Sequence, residues 1–313
     1  MRTYQRFTIA GHVGPDGDSI GSSMGLALAL HKLGKDAMVV VEKIPQKYTI
    51  IPGKHFIWNE PLEKLDAEVL FVLDCGDAKR MGSANMLLEK IPISICIDHH
   101  ETNNGFAQYN FIDADASSTA EMVLELIELI TEVDIEIATA IYAGIVCDTG
   151  GFRYSATGRN TLENTARLMD TGIPFTDIYS ELMNKRNFAS TKALGVAIGN
   201  AKQSMDGRIV YSSVTRADLA KVGAVPSDLE GTAEYLMSTR GAEVAFFIYE
   251  KDTPPDVKVS LRSYSLHVGH FAAQFGGGGH RLAAGCMVQL PVDKVLPQIL
   301  ASLESELLAD DNK

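Results

Sequence analysis

Residues 91–100 read IPISICIDHH, an apolar run closed by an acid and two histidines, Asp98, His99 and His100. The run is apolar on successive residues instead of alternate ones, as expected of a strand buried on both faces, and such strands belong to parallel sheets. Three neighbouring stretches read the same way: RFTIAGH (6–12), AMVVV (37–41) and AEVLFVLD (67–74). Between and after them stand helical patterns, DSIGSSMGLALALHKLG (18–34), STAEMVLELIELITEV (118–133) and IEIATAIYAGIVCDTG (135–150). Ser118 and Glu121 form a capping-box pattern at the start of the second. The alternation predicts an α/β fold with a mainly parallel sheet covered by helices on both faces.

The texture changes after NKRNFASTKALGVAIGNA (184–201), which reads as a helical connector. Beyond it GRIVYSSV (207–214), AEVAFFIYE (242–250) and VKVSLRS (257–263) are separate strand candidates around a helix near LEGTAEYLMS (229–238). A final helix runs through VDKVLPQILASLESELL (292–308). The 313 residues exceed what one core usually fills, so the expected organisation is a larger α/β domain over 1–185, a helical linker over 186–200 and a smaller α/β domain over 201–313.

Three expected strands deliver chemistry at their C-terminal ends, where ligands bind in an open α/β sheet. The first supplies His12, followed by Asp16 and Asp18 in a turn shaped by Pro15 and Gly17; the others supply Asp74 and Asp98–His100. Asp148 adds a carboxylate at the end of an apolar helix. Singly, Asp16 or Asp18 reads equally well as a helix cap, Asp74 as a turn residue and His12 as a hydrogen-bonded core histidine. Collected on one edge, such groups repel each other or go unsatisfied without cations. Imidazoles and carboxylates without thiolates suit a pair of divalent ions, Mn2+ first, with cobalt, iron or zinc compatible. Two such ions about 4 Å apart generate hydroxide at neutral pH and clamp a phosphoryl group, so phosphoester hydrolysis is the expected chemistry.

A second constellation lies in FGGGGHRLAAG (275–285), where Gly276, Gly277, Gly278 and Gly279 precede His280 and Arg281. Consecutive glycines allow close backbone approach and can form an anion-binding nest. The strand before them offers Arg262, with a planar fork of donors for a phosphate. Neither G-K-[ST] nor G-x-G-x-x-G after a strand is present, which disfavours a kinase or a dehydrogenase.

The formal net charge is −12, of which −10 falls within residues 1–186 and −2 after them. That distribution excludes long or duplex nucleic acid held by a broad basic face and leaves short anionic substrates. No stretch of eighteen uncharged apolar residues occurs, so no membrane association is expected and a cytoplasmic location is. The four cysteines show no C-x-x-C spacing, and Cys75, directly after Asp74, reads as a small buried apolar group.

Taken in order, HVGPDGDSIGS (12–22), LDCGD (73–77), IDHH (97–100) and VCDTGGF (146–152) resemble the four motifs of the DHH phosphoesterase superfamily. FGGGGHRLAAG resembles the glycine-rich signature of the DHH-associated C-terminal domain. The resemblance spans nearly the whole chain and is similar in layout to the nanoRNase/pAp phosphatase subgroup. It implies an active site in the cleft between the two domains and two divalent ions, most simply Mn2+. His12 and Asp16 would hold one ion and Asp18, His99 and Asp148 the other, with Asp74 bridging. His100 would face the scissile phosphate, with Asp98 orienting a histidine. Arg262, Gly276–Gly279 and His280 would bind the substrate's phosphate or terminal nucleotide. The implied substrates are short oligoribonucleotides and 3′-phosphoadenosine 5′-phosphate (pAp). Cyclic dinucleotides or their linear products are the alternative within the enzyme class, and a nucleotide sensor with a structural metal is the alternative outside it. A homodimer is compatible with this reading.

Overall fold

The computed structural model describes residues 3–251 and 256–310. The chain separates into two compact units, Met1–Lys185 and Arg186–Lys313.

In the first unit β1 (Arg6–Ala10) leads into α1 (Gly17–Lys32) and β2 (Asp36–Val40); after a run of short 3-10 turns come β3 (Val69–Leu73), the short helix α2 (Leu87–Lys90), β4 (Ile93–Asp98) and β5 (Tyr109–Ile112). The five strands lie in the order β2-β1-β3-β4-β5, every neighbouring pair parallel. In β3 all five residues are buried because both faces are covered. Val69, Phe71 and Leu73 join the main core with Ile9, Leu26 and Ile141, while Leu70 and Val72 pack with Met81, Ala84 and Leu87 on the other face. The four residues of the edge strand β5 are all exposed, although three of them, Tyr109, Phe111 and Ile112, are apolar or aromatic.

Helices α3 (Thr119–Glu128), α4 (Ile135–Asp148), α5 (Arg159–Asp170) and α6 (Phe175–Tyr179) complete this unit. Helix α1 is buried from Gly17 through Leu30 and lies against α4. Small residues permit that approach: a Cβ on Gly21 would sit 2.5 Å from the Ala140 carbonyl oxygen. The Ser118 hydroxyl caps α3 by accepting from the Glu121 N–H at 3.1 Å. The reciprocal half of the expected capping box is displaced by one residue. The Glu121 carboxylate accepts from the N–H and hydroxyl of Ser117, and also from Thr161 and Asn164 on α5.

In the second unit α7 (Phe188–Gly199) comes first, then β6 (Lys202–Ser204), β7 (Ile209–Val214), α8 (Arg216–Val222), α9 (Thr232–Met237), β8 (Val244–Glu250), β9 (Asp256–Ser263), α10 (Val268–Ala273), β10 (Gly278–Gly279), β11 (Ala283–Gln289) and α11 (Val292–Asp310). The sheet order is β10-β11-β9-β8-β7-β6, with only β7 and β8 parallel. Phe246 and Ile248 of β8 face the core shared with Val295, Ile299, Leu303 and Leu307 of α11, spaced at one helical stripe. Ala245 and Phe247 face the opposite layer, where Ala193 and Ala197 of α7 are buried. The segment expected as a connector thus contributes α7 to the packing of the second unit. Among the described residues no helix is long and apolar enough to cross a membrane.

Candidate metal centre

The parallel register brings the ends of β1, β3 and β4 side by side, with Ala10 paired to Val72 and Leu73 to Ile97. His12 therefore follows β1 at the edge where Asp74 follows β3 and where Asp98 ends β4. The donor atoms of His12, Asp16 and Asp74 lie within 4.8 Å of one another, as do those of Asp18, His99 and Asp148, and those of Asp74, His99 and His100. Asp74 belongs to two of the groups and is nearly inaccessible. Its backbone adopts φ +54°, a left-handed conformation that costs a non-glycine residue roughly 1–3 kcal/mol.

Around Asp74, the side chains of His12, Asp16 and Asp18 are held from behind. The Nδ1 of His12 lies 2.9 Å from the Val13 carbonyl oxygen. A carbonyl only accepts, so Nδ1 carries the proton and Nε2 faces the acids, 3.6 Å from Asp74 Oδ2 and 3.8 Å from Asp16 Oδ1. Asp16 is also the N-cap of α1, its Oδ1 accepting from the amides of Asp18 and Ser19 at 3.1 Å. The cap reading and the ligand reading of Asp16 coincide on one carboxylate. Asp18 is buried and accepts from the Thr119 and Ala120 amides at 2.7 and 2.8 Å, which places it at the positive end of α3. His99 Nε2 lies 3.2 Å from Asp148 Oδ2 and 3.8 Å from Asp74 Oδ1.

The remaining members of the motif form a separate chain of hydrogen bonds. Asp98, fully buried, meets His100 Nδ1 through Oδ1 at 2.7 Å and accepts from Asn103 through Oδ2 at 2.6 Å. Burial opposes ionisation of Asp98, but His100 and Asn103 outweigh it and hold the carboxyl below its ordinary value. Burial likewise opposes protonation of His100, and Asp98 and Asp74 raise it above 6.5 regardless. The sequence reading missed Asn103 and Thr119, whose hydroxyl donates to Asp74 at 3.4 Å. Asn103 sits in a T-N-N-G turn, where an asparagine signals a turn and says nothing of a distant carboxylate. Cys75 is fully buried, and burial pushes its thiol up to about 12.

The charge balance of the cluster fits a dication. Burial, then the charges of Asp74 and its neighbours, push both Asp18 and Asp148 well above the usual carboxylate range. Burial opposes protonation of His12, yet Asp16 and Asp74 draw its pKa up to about 10. Four carboxylates this close select positive charge, and with two imidazoles and no thiolate they form a mixed nitrogen and oxygen donor set.

The second set of expected residues lies in the second unit. Arg262, on β9, directs Nε to Glu234 Oε1 at 3.0 Å, Nη2 to the same oxygen, and Nη1 to the Leu261 carbonyl at 2.7 Å. Gly277 and Gly279 are needed by the hairpin itself, since a Cβ on either would stand 2.2 Å from the Gly285 carbonyl or 2.6 Å from the Ala283 carbonyl. Gly276 and Gly278 have open space where a Cβ would go, and His280 is exposed beside them.

A parallel α/β unit with this cluster at its strand ends, followed by a mixed-sheet unit with a glycine hairpin, defines a DHH-type phosphoesterase, and the chain belongs to that family. The DHH family N-terminal domain matches residues 6–145 and the DHHA1 domain residues 206–308. Among curated proteins the chain is similar to the bifunctional oligoribonuclease and PAP phosphatase NrnA of Thermus thermophilus, 31% identical over 306 residues, covering 96% of this chain and 89% of that one. The protein of the same name from Bacillus subtilis is 25% identical over 292 residues, covering 91% and 90%. A crystal structure of an exopolyphosphatase-related protein from Bacteroides fragilis superposes with a TM-score of 0.90 at 28% identity, covering 98% of this chain and 94% of that one.

Proposed function

We propose that this chain is a manganese-dependent phosphoesterase that hydrolyses short oligoribonucleotides to 5′-mononucleotides and pAp to AMP. The observation that carries this reading is the sharing of Asp74 between the His12–Asp16 group and the His99–His100 group, with His99 in turn shared with the Asp18–Asp148 group. The two similar proteins named oligoribonuclease and PAP phosphatase support the choice of substrates.

In this reading His12 and Asp16 would hold one ion and Asp18, His99 and Asp148 the other, with Asp74 available to both. Two divalent cations, when bound, supply an activated water and neutralise charge on the phosphoryl oxygens. The chain's own residues do the rest. His12 presents Nε2 because its Nδ1 is taken by the Val13 carbonyl, and His99 turns Nε2 to Asp148 and Asp74. His100 faces the scissile phosphate; its Nδ1–H donates a hydrogen bond to the Asp98 carboxylate, and the far nitrogen Nε2 is the one that can pass a proton to the leaving oxygen. Asp98 stabilises the imidazolium that faces the phosphate, and Asn103 fixes Asp98 in turn. Arg262, Gly276, Gly277, Gly278, Gly279 and His280 hold another phosphate or the terminal nucleotide of the substrate. Free cysteines suit a reducing compartment, and we place the activity in the cytoplasm.

The test is a turnover series with Mn2+ over pAp, RNA from two to five nucleotides, longer RNA and cyclic dinucleotides. Activity on pAp and the shortest RNA, falling steeply with length, is the expected result. Preference for cyclic dinucleotides, or equal rates on long RNA, would overturn the substrate assignment.

A further inference from the structure

We infer that Glu234, on α9, is a positioning residue that fixes the guanidinium of Arg262 so that one edge of it is presented to a substrate phosphate. The inference rests on the reading of Arg262 as a phosphate anchor. A guanidinium carries five N–H donors in a rigid plane. Three are spent inside the second unit: Nε–H and one Nη2–H on Glu234 Oε1, and one Nη1–H on the Leu261 carbonyl of its own strand. The two that remain, one on each Nη nitrogen, lie side by side on the edge opposite Nε. That pair is the fork that takes two oxygens of one phosphate. The Arg262 and Glu234 side chains are 27% and 29% exposed, so the pair is accessible and not sealed in the core.

The backbone fixes both partners. Arg262 is on β9 between β8 and β11, in register with Ala245 and Ala283, and Ala283 follows the GGGGHRL segment on the adjoining strand. Both register neighbours are alanines, which leaves room for the arginine to lie across the sheet towards α9. Without a partner, a long side chain on a strand samples many rotamers and must be ordered each time a phosphate binds. Glu234 supplies that order in advance. Its charge opposes an incoming phosphate, so the two effects of one residue have to be separated.

Glu234→Ala and Glu234→Gln separate them, because both remove the charge and only glutamine keeps an oxygen acceptor for Nε–H and Nη2–H. The readout is KM and kcat for a 5′-phosphorylated RNA dinucleotide with Mn2+, with Arg262→Ala measured beside them and folding of each variant checked by thermal melting. A KM about tenfold higher for Glu234→Ala than for Glu234→Gln, with kcat held within about twofold between the two, is the expected result. Arg262→Ala should raise KM at least as far as Glu234→Ala. Equal KM values for the two Glu234 variants, with Arg262→Ala still impaired, would overturn the positioning role while leaving Arg262 as an anchor. An unimpaired Arg262→Ala would remove the anchor and this inference with it.

Discussion

His99 and His100 are adjacent in the chain and turn to different partners. His99 directs Nε2 to Asp148 and Asp74, whereas His100 gives Nδ1 to the buried Asp98. The same substitution at each position should therefore fail in different ways. His99→Ala removes a donor and should weaken Mn2+ binding, with turnover falling in parallel. His100→Ala should retain Mn2+ and lose about 10²–10⁴ in kcat, the usual contribution of a positioned proton donor. Calorimetric Mn2+ titration and turnover on the same preparations distinguish the two, and equal loss of Mn2+ in both variants would refute the division of labour. The candidate donors were legible in the sequence because their types and their places at strand ends are visible there. Their supports were not. Thr119 reaches Asp18 across 101 residues, and Glu234 reaches Arg262 across 28, through contacts that only the folded chain defines.

At the scale of elements, the helices do as much as the strands to hold these side chains. Helix α3 points its first amides at Asp18, and Glu121, one turn in, ties that helix start to Ser117 and to α5. Helices α1 and α4 approach closely at Gly21 and carry Asp18 and Asp148 at opposite ends of their sequences. In the second unit Asp228 plays a comparable part, accepting from Asn187 at the N-cap of α7, from Ser190 on α7 and from the Val225 amide. Burial opposes its charge, but these donors outweigh burial and hold its carboxyl below 3.8. A depressed carboxyl stabilises the fold above its unfolded value and loses that contribution as pH falls through the folded one. Asp228→Asn should therefore cost about 1–2 kcal/mol at pH 7, with the gap to wild type closing below about pH 4. Urea melts at both pH values measure it, and a gap that stays constant would show that the charge is not what α7 uses. Four strands escaped sequence reading, hidden by shortness or by a glycine-rich setting. β6 is three polar residues, β10 is two glycines, β5 is a run of only four residues, and β11 follows directly on the glycine run, which reads as a loop.

For the whole molecule the charge distribution and the site point the same way. The first unit concentrates the negative charge, and the part of it gathered around Asp74 is what would draw divalent cations to one edge of the sheet. A net charge of −10 over residues 1–186 repels long polyanions, in keeping with a preference for substrates of one to a few nucleotides. The two-part organisation was legible because the first half reads as buried parallel strands and the second as shorter strands of mixed character. The role of α7 was not, since a mid-chain helix rich in alanine looks the same as a spacer or as a packed element until its neighbours are known. That Asp74 joins the donor groups into one centre is tested most directly by counting Mn2+ per chain and recording the paramagnetic resonance of the loaded protein, for wild type and Asp74→Ala. Two ions with exchange coupling in the wild type, and loss of the coupling together with turnover in Asp74→Ala, are the predicted result. A single ion in the wild type, or full turnover in Asp74→Ala, would contradict it.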